Sequence, residues 1–357
     1  MKALEQITVH AKLVLATFLC LAAGCATKPV QKSEFTFFPP PPDEPRIQFL
    51  TGFGSETDLG GRGKFSSFVV GEERVFRPIW KPYGLAVTKG MIYVCDTEPD
   101  NICMVDIAKG RIKYHKPEGN AAMTLPINIA VDADGTRYVT DTKRCQVMIY
   151  RSDGSFVEAI GKKNEMKPCG IAVTSEKLYI TDLSNHCVRV YNKATREVLL
   201  TVPPKPDETN RLFSPTNIAV DDKGQMYVSD SGGFMIKIYG PEGNHLRTIG
   251  DLGLNPGRFA LPKGIAVDKK GRIFVIDAAT ALAQVFDEQG RLLMYFGEPK
   301  SSGPGAMYLP AGLAVDYQNQ DLYQKYAAPG YKIEYLIFVT NQAGPHKVSV
   351  YGFLKKG

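Results

Sequence analysis

The sequence predicts an all-β fold, a six-bladed β-propeller in which each blade is a four-stranded antiparallel sheet. Three observations predict it. A six-residue pattern recurs six times, its copies stand 44, 42, 47, 47 and 48 residues apart, and short β-rich runs separated by turn residues fill each interval. Periods of this length with several strands inside them belong to propeller blades rather than to helical solenoids. The copies are Pro82-Tyr-Gly-Leu-Ala-Val87, Pro126-Ile-Asn-Ile-Ala-Val131, Pro168-Cys-Gly-Ile-Ala-Val173, Pro215-Thr-Asn-Ile-Ala-Val220, Pro262-Lys-Gly-Ile-Ala-Val267 and Pro310-Ala-Gly-Leu-Ala-Val315.

The second repeat shows the four strands of a blade most plainly: 129–132, 138–141, 147–150 and 156–161. Ala133-Asp-Gly135 and Ser152-Asp-Gly154 sit at two of its tips, where Asp-Gly supplies the positive φ of tight hairpin turns. The sixth repeat offers only three strands, 312–316, 336–340 and 347–351, before the chain ends. Residues 46–54 read as an orphan fourth strand, matching 291–297 in alternation and terminal glycine. They are expected to close the last blade and so remove an open edge. The domain is read as 46–353, with a closing strand at 46–54, a lead-in over 55–80 and repeats from 81.

The third repeat contains Asp182-Leu-Ser-Asn-His186-Cys-Val-Arg-Val-Tyr191, and with its five companions it resembles the NHL repeat family over about residues 46–353. The resemblance implies six blades around a central channel and a propeller used for protein or RNA contacts. RNA is set aside, because the net charge of +6 is mild and scattered.

The N-terminus carries Lys2 and Lys12 and then an apolar run, 13–24, too short to span a bilayer. Leu21-Ala-Ala-Gly-Cys25 resembles the lipobox of bacterial lipoproteins, so residues 1–24 are read as a signal peptide and Cys25 as the lipidated residue. Ala26 in the next position suggests, by analogy with enteric lipoproteins, export to the outer membrane. Residues 25–45 end in a proline run, a stiff extended spacer between membrane and domain.

Setting aside Cys20 and Cys25 leaves Cys95, Cys103, Cys145, Cys169 and Cys187, an odd number without zinc or haem spacing. Cys95 and Cys103 flank one hairpin turn, so two readings stand for them: buried free thiols or a disulfide.

Asp96, Asp141, Asp182, Asp230, Asp277 and Asn341 end the second strands. They are read as acceptors for backbone N–H groups in the turn that follows, since Asn341 keeps the acceptor without the charge. Asn128 and Asn217 replace the glycine of the other repeats near the channel. Calcium-dependent lactonases of the related six-bladed type use oxygen ligands there, which makes these two residues metal candidates under that alternative. His115, His186, His245 and His346 fall in different repeats and form no zinc motif.

Between its first and second strands the sixth repeat carries a long insertion with Tyr317, Tyr323, Lys325, Tyr326, Tyr331 and Lys332, a candidate contact surface of rigid aromatics. Phe65, Phe68 and Trp80, the only tryptophan, mark the lead-in as a second candidate. Tyr317, Tyr323, Tyr326, Tyr331 and Trp80 are therefore the expected binding residues. No catalytic residue and no resident cofactor is expected. The main reading is a lipid-anchored module of the cell envelope that binds a protein partner; the alternatives are a calcium-dependent lactonase-like hydrolase and a small-molecule or carbohydrate-binding propeller.

Overall fold

The computed structural model describes residues 35–59, 76–298 and 303–357. Cys25 with the leader, and Phe65 and Phe68 of the lead-in, lie outside the described residues. The described strands form six antiparallel sheets. Blade one comprises Pro82–Thr88, Met91–Asp96, Asn101–Asp106 and Arg111–His115. Blades two to five follow over 126–160, 168–202, 215–249 and 262–296, each with its strands in sequence order. The first strands touch in the order one to six and back to one, which closes the ring.

Blade six takes Pro310–Asp316, Tyr331–Asn341 and Val348–Lys356 from the C-terminus, and Ile47–Phe53 from the N-terminal side. Ile47 lies opposite Phe353 and Phe53 opposite Val348, the closure that the orphan strand at 46–54 predicts. The structure adds a fifth strand, Thr36–Phe38, paired outside Ile47–Phe53 and lying within the stretch expected to be spacer. Phe38 accounts for it: its buried ring packs 6.2 Å from Phe296 and 6.3 Å from Tyr351.

Alternation along the strands explains the ring. Successive side chains point to opposite faces of a sheet, so each blade buries one set against the preceding blade and the other against the next. The buried apolar residues accordingly fall into six clusters, one for each junction. Val94 and Cys103 are cross-strand partners facing blade six, while Cys95 and Ile102 face blade two. The two thiols thus lie on opposite faces of one sheet, and both are free. Of the two readings open for this pair, the structure supports buried thiols.

Two outcomes are expected. Ile47→Ala in the closing strand should cost about 2–5 kcal/mol in urea unfolding, as Ile180→Ala in blade three should, because both residues are fully buried; a loss below about 1 kcal/mol at Ile47 would mean that the closing strand frays independently of the ring. In non-reducing peptide mapping, Cys95 and Cys103 should be recovered as separate thiols that react with a thiol reagent only after unfolding.

Candidate functional site

The six residues that end the second strands are all fully buried, and each anchors the loop that enters its own blade. Asp96 accepts the N–H groups of Trp80 and Lys81 at 2.7 Å each, and Asp230 those of Phe213 and Ser214 at 2.9 and 2.6 Å. Asp141 holds Thr124 and Leu125 at 2.6 and 3.2 Å, and Asp277 holds Ala260 and Leu261 at 2.6 and 3.3 Å. Asp182 takes Lys167 at 2.9 Å, and Asn341 Oδ1 takes Tyr308 at 3.1 Å. Bonds to the following turn are present as expected, for instance Ser184 and Asn185 on Asp182. The incoming loop is the partner that sequence reasoning missed. These carboxylates are therefore structural acceptors already in use.

Each loop then delivers a proline, and all six first strands show a register shift immediately after it. A bulge re-aims a side chain, and in blades one and five the residue after the proline turns toward the axis. Lys263 of blade five and Tyr83 of blade one, separated by blade six, meet across the channel: Lys263 Nζ donates to Tyr83 Oη at 2.7 Å and lies 4.9 Å from the ring centre. The remaining second-position residues are Ile127, Cys169, Thr216 and Ala311. Burial pulls the Lys263 ammonium below its usual range, opposed by Cys169, and pushes the Cys169 thiol up to about 12. One signal in the sequence marks this ring: the position after the proline varies among Tyr, Ile, Cys, Thr, Lys and Ala while the residues around it hardly change.

The third position is set by backbone crowding. A Cβ on Gly84 would fall 2.6 Å from Asn128 Cα, and one on Gly170 would fall 2.7 Å from Asn217 Cα. Asn128 Oδ1 accepts the N–H of Ile129 at 3.1 Å; Asn217 Oδ1 is buried without a hydrogen-bond partner. The two asparagines belong to blades two and four, and the second-position ring between them offers no carboxylate and one ammonium. Among the described residues no three His, Cys, Asp or Glu side chains converge as a metal site. Calcium needs six to eight oxygen ligands, several of them anionic, so this donor set does not fit it. The histidines also stay apart. His115 packs edge-on against Tyr150 at 4.8 Å, where burial and then the Arg137 charge pull it down to about 4.

The expected binding residues divide between two faces. In an antiparallel blade the first strand starts and the fourth ends on one face, so Trp80 lies with the blade-to-blade connections. The tyrosine insertion joins the first and second strands of blade six and therefore lies on the opposite face. Its tyrosines are engaged within the chain. Tyr323 is only 5% exposed and packs edge-on against Phe338 at 5.8 Å, and Tyr331 lies 6.0 Å from Phe37. Tyr317 Oη accepts the Lys269 N–H at 3.2 Å, and the Tyr326 carbonyl accepts Gln48 Nε2 at 2.8 Å. Asn319 bonds Gly90 N at 2.7 Å and Thr88 O at 3.0 Å, tying the insertion to blade one. Trp80, by contrast, is 54% exposed, and the other connections present Phe213, Leu252, Leu254 and Leu309 to solvent. Sequence reasoning missed these four because single apolar residues in loops carry no period.

No family model matches the chain, and no curated protein matches it. Solved structures do. A protein of unknown function from Bacteroides thetaiotaomicron superposes with a TM-score of 0.61 at 14% identity, over 87% of this chain and 76% of that one. A gluconolactonase from Xanthomonas campestris gives 0.54 at 16% identity, over 87% and 90%. A streptogramin B lyase gives 0.53 at 14% identity, over 77% and 84%. At these identities the likeness establishes the six-bladed propeller fold, shared by proteins of different chemistry.

Asp182 differs from Asp96 and Asp230, whose carboxyls burial pushes up. At Asp182 burial also pushes upward, but the Lys167 amide, Asn185, Arg189 and Ser184 outweigh it and hold the carboxyl below its usual range. A lowered folded-state pKa gives stability that is present above the unfolded value, about 3.9, and lost as pH falls through the folded one. Asp182→Asn is thus expected to lower the urea midpoint at neutral pH and to lessen the further drop between about pH 5 and pH 2. An unchanged acid limb in the variant would assign that loss to other groups.

Proposed function

We propose that this chain is a propeller held at a bacterial envelope membrane through lipidated Cys25, where it acts as a protein-binding or scaffolding module. Its partner, another envelope protein, docks on the face where the blade connections emerge. The observation that carries the reading is the set of apolar side chains exposed there, with Leu254 at 71% and Trp80 at 54%. The opposite face presents charged turns such as Asp221-Asp-Lys223, Asp268-Lys-Lys270 and Asp287-Glu288. Large apolar side chains exposed on the loops of one face suit association, and tryptophan is prominent among interface hot spots. The likeness of the repeats to the NHL family supports the same use. Nucleic acid is not a proposed partner, and the lactonase-type alternative gains no support from the oxygen donors around Asn128 and Asn217.

Crosslinking followed by affinity capture of the native lipoprotein from membranes tests this. The triple variant Trp80→Ala/Leu252→Ala/Leu254→Ala changes exposed residues only and should fold normally. It is expected to lose the captured partner at least tenfold, the equivalent of about 1.4 kcal/mol. Leu322→Ala/Lys325→Ala on the opposite face should leave capture unchanged. The reverse pattern would move the docking surface to the sixth-blade insertion, and undiminished capture by both variants would sink the reading.

A further inference from the structure

The channel ring holds a cation that nothing in the described chain neutralises. Lys263 Nζ is bonded to Tyr83 Oη, and no carboxylate contributes to its environment. Several half-buried cations elsewhere have a carboxylate partner that Lys263 lacks: Lys193 reaches Asp132 at 2.5 Å, Arg189 reaches Asp182 at 2.8 Å, and Arg272 reaches Asp268 at 2.5 Å. Even Lys237, 4% exposed, donates to the Thr209 carbonyl and has Asp230 and Asp207 near it. Lys263 and Tyr83 also keep partial exposure although they sit on the innermost strands, so solvent reaches them.

An ammonium has three N–H donors and no acceptor, and a phenol has one of each. When Lys263 donates to Tyr83, the Tyr83 O–H and two N–H bonds of Lys263 remain as donors. The other ring members supply no competing charge: Thr216 Oγ1 is engaged by Ser231 Oγ at 2.8 Å, Ile127 and Ala311 are apolar, and the buried Cys169 thiol is held protonated.

We infer that the central channel binds a small carboxylate, its two oxygens accepting from Lys263 Nζ and Tyr83 Oη. A monoanion matches the single positive charge. A phosphate dianion would be left half-neutralised in a site without arginine, the residue suited to gripping it from two sides. This site stands apart from the docking face, and either can fail without the other.

The test uses the full chain with sodium acetate as probe, sodium chloride at equal ionic strength as the salt control and acetamide as the neutral isostere. Acetate is expected to raise the melting temperature saturably, following the linkage between ligand concentration and stability, while chloride and acetamide do not. It should also protect Lys263 from an amine-specific label at least threefold, read by peptide mass spectrometry in the unaltered protein. Lys263→Met should abolish the thermal response. If that variant does not fold, Tyr83→Phe, which keeps the ammonium and removes one donor, should weaken acetate binding at least fivefold. The inference is overturned if acetate acts no more than chloride, if Lys263 labelling is unaffected, or if phosphate binds more tightly than acetate.

Discussion

A buried acceptor at the end of each second strand, binding the amides just ahead of the same blade's first strand, is the contact on which the rest of the ring depends. Asp96, Asp141, Asp182, Asp230, Asp277 and Asn341 occupy this place. Backbone N–H groups that turn inward at a loop must find acceptors, and burying them unpaired costs about 1–3 kcal/mol each. With these amides held, the proline that follows enters the sheet at a defined point and the bulge behind it is set. In blades one and five that bulge turns the second-position residue toward the axis. A local turn interaction thereby helps to place Tyr83 and Lys263 in the channel.

Between blades the ordering force is apolar burial, with hydroxyl stitches added near the axis. Thr140 Oγ1 donates to Cys169 O at 2.6 Å, linking blade two to blade three, and Thr340 Oγ1 reaches Tyr83 O, linking blade six to blade one. Cys95 stands at the corresponding position of blade one, where a small buried thiol fills the volume of the threonine. Glu56, just after the closing strand, reinforces the seam: it is 1% exposed, accepts the Ile112 N–H at 2.8 Å and pairs with Arg77 at 3.0 Å. The N-terminal segment thus joins blade six by strand pairing and blade one by a buried carboxylate. That double attachment prevents an open edge from remaining at the one junction where the chain is not continuous.

The two faces of the disc consequently have different duties. On the turn face, Asp-Gly and Asp-Lys tips make tight hairpins, and the sixth-blade insertion braces the seam through Asn319, Tyr323 and Tyr326. The connection face carries loops of unequal length, whose backbone is anchored by the buried acceptors while side chains such as Trp80, Leu252 and Leu254 stay outside. Trp80 illustrates the separation, since its N–H is held by Asp96 at 2.7 Å while more than half of its side chain meets solvent. A recognition surface on this face has a rigid base and variable tips.

The blade count, the strand order within a blade, the N-terminal closure and the second-strand acceptors were legible in the sequence. All of these follow from short-range periodicity and turn chemistry repeated six times. It named Trp80 as a candidate contact, and it left Cys95 and Cys103 open until strand pairing put them on opposite faces of one sheet. It did not reveal that the insertion tyrosines pack within the chain, because tyrosine serves equally in a core and on a surface. Nor did it join Lys263 to Tyr83, which are 180 residues apart. Their meeting depends on ring closure and on the bulges that aim both side chains at a common axis. Only the tertiary structure decides contacts across that axis, because they link blades that share no strand pairing and no common period.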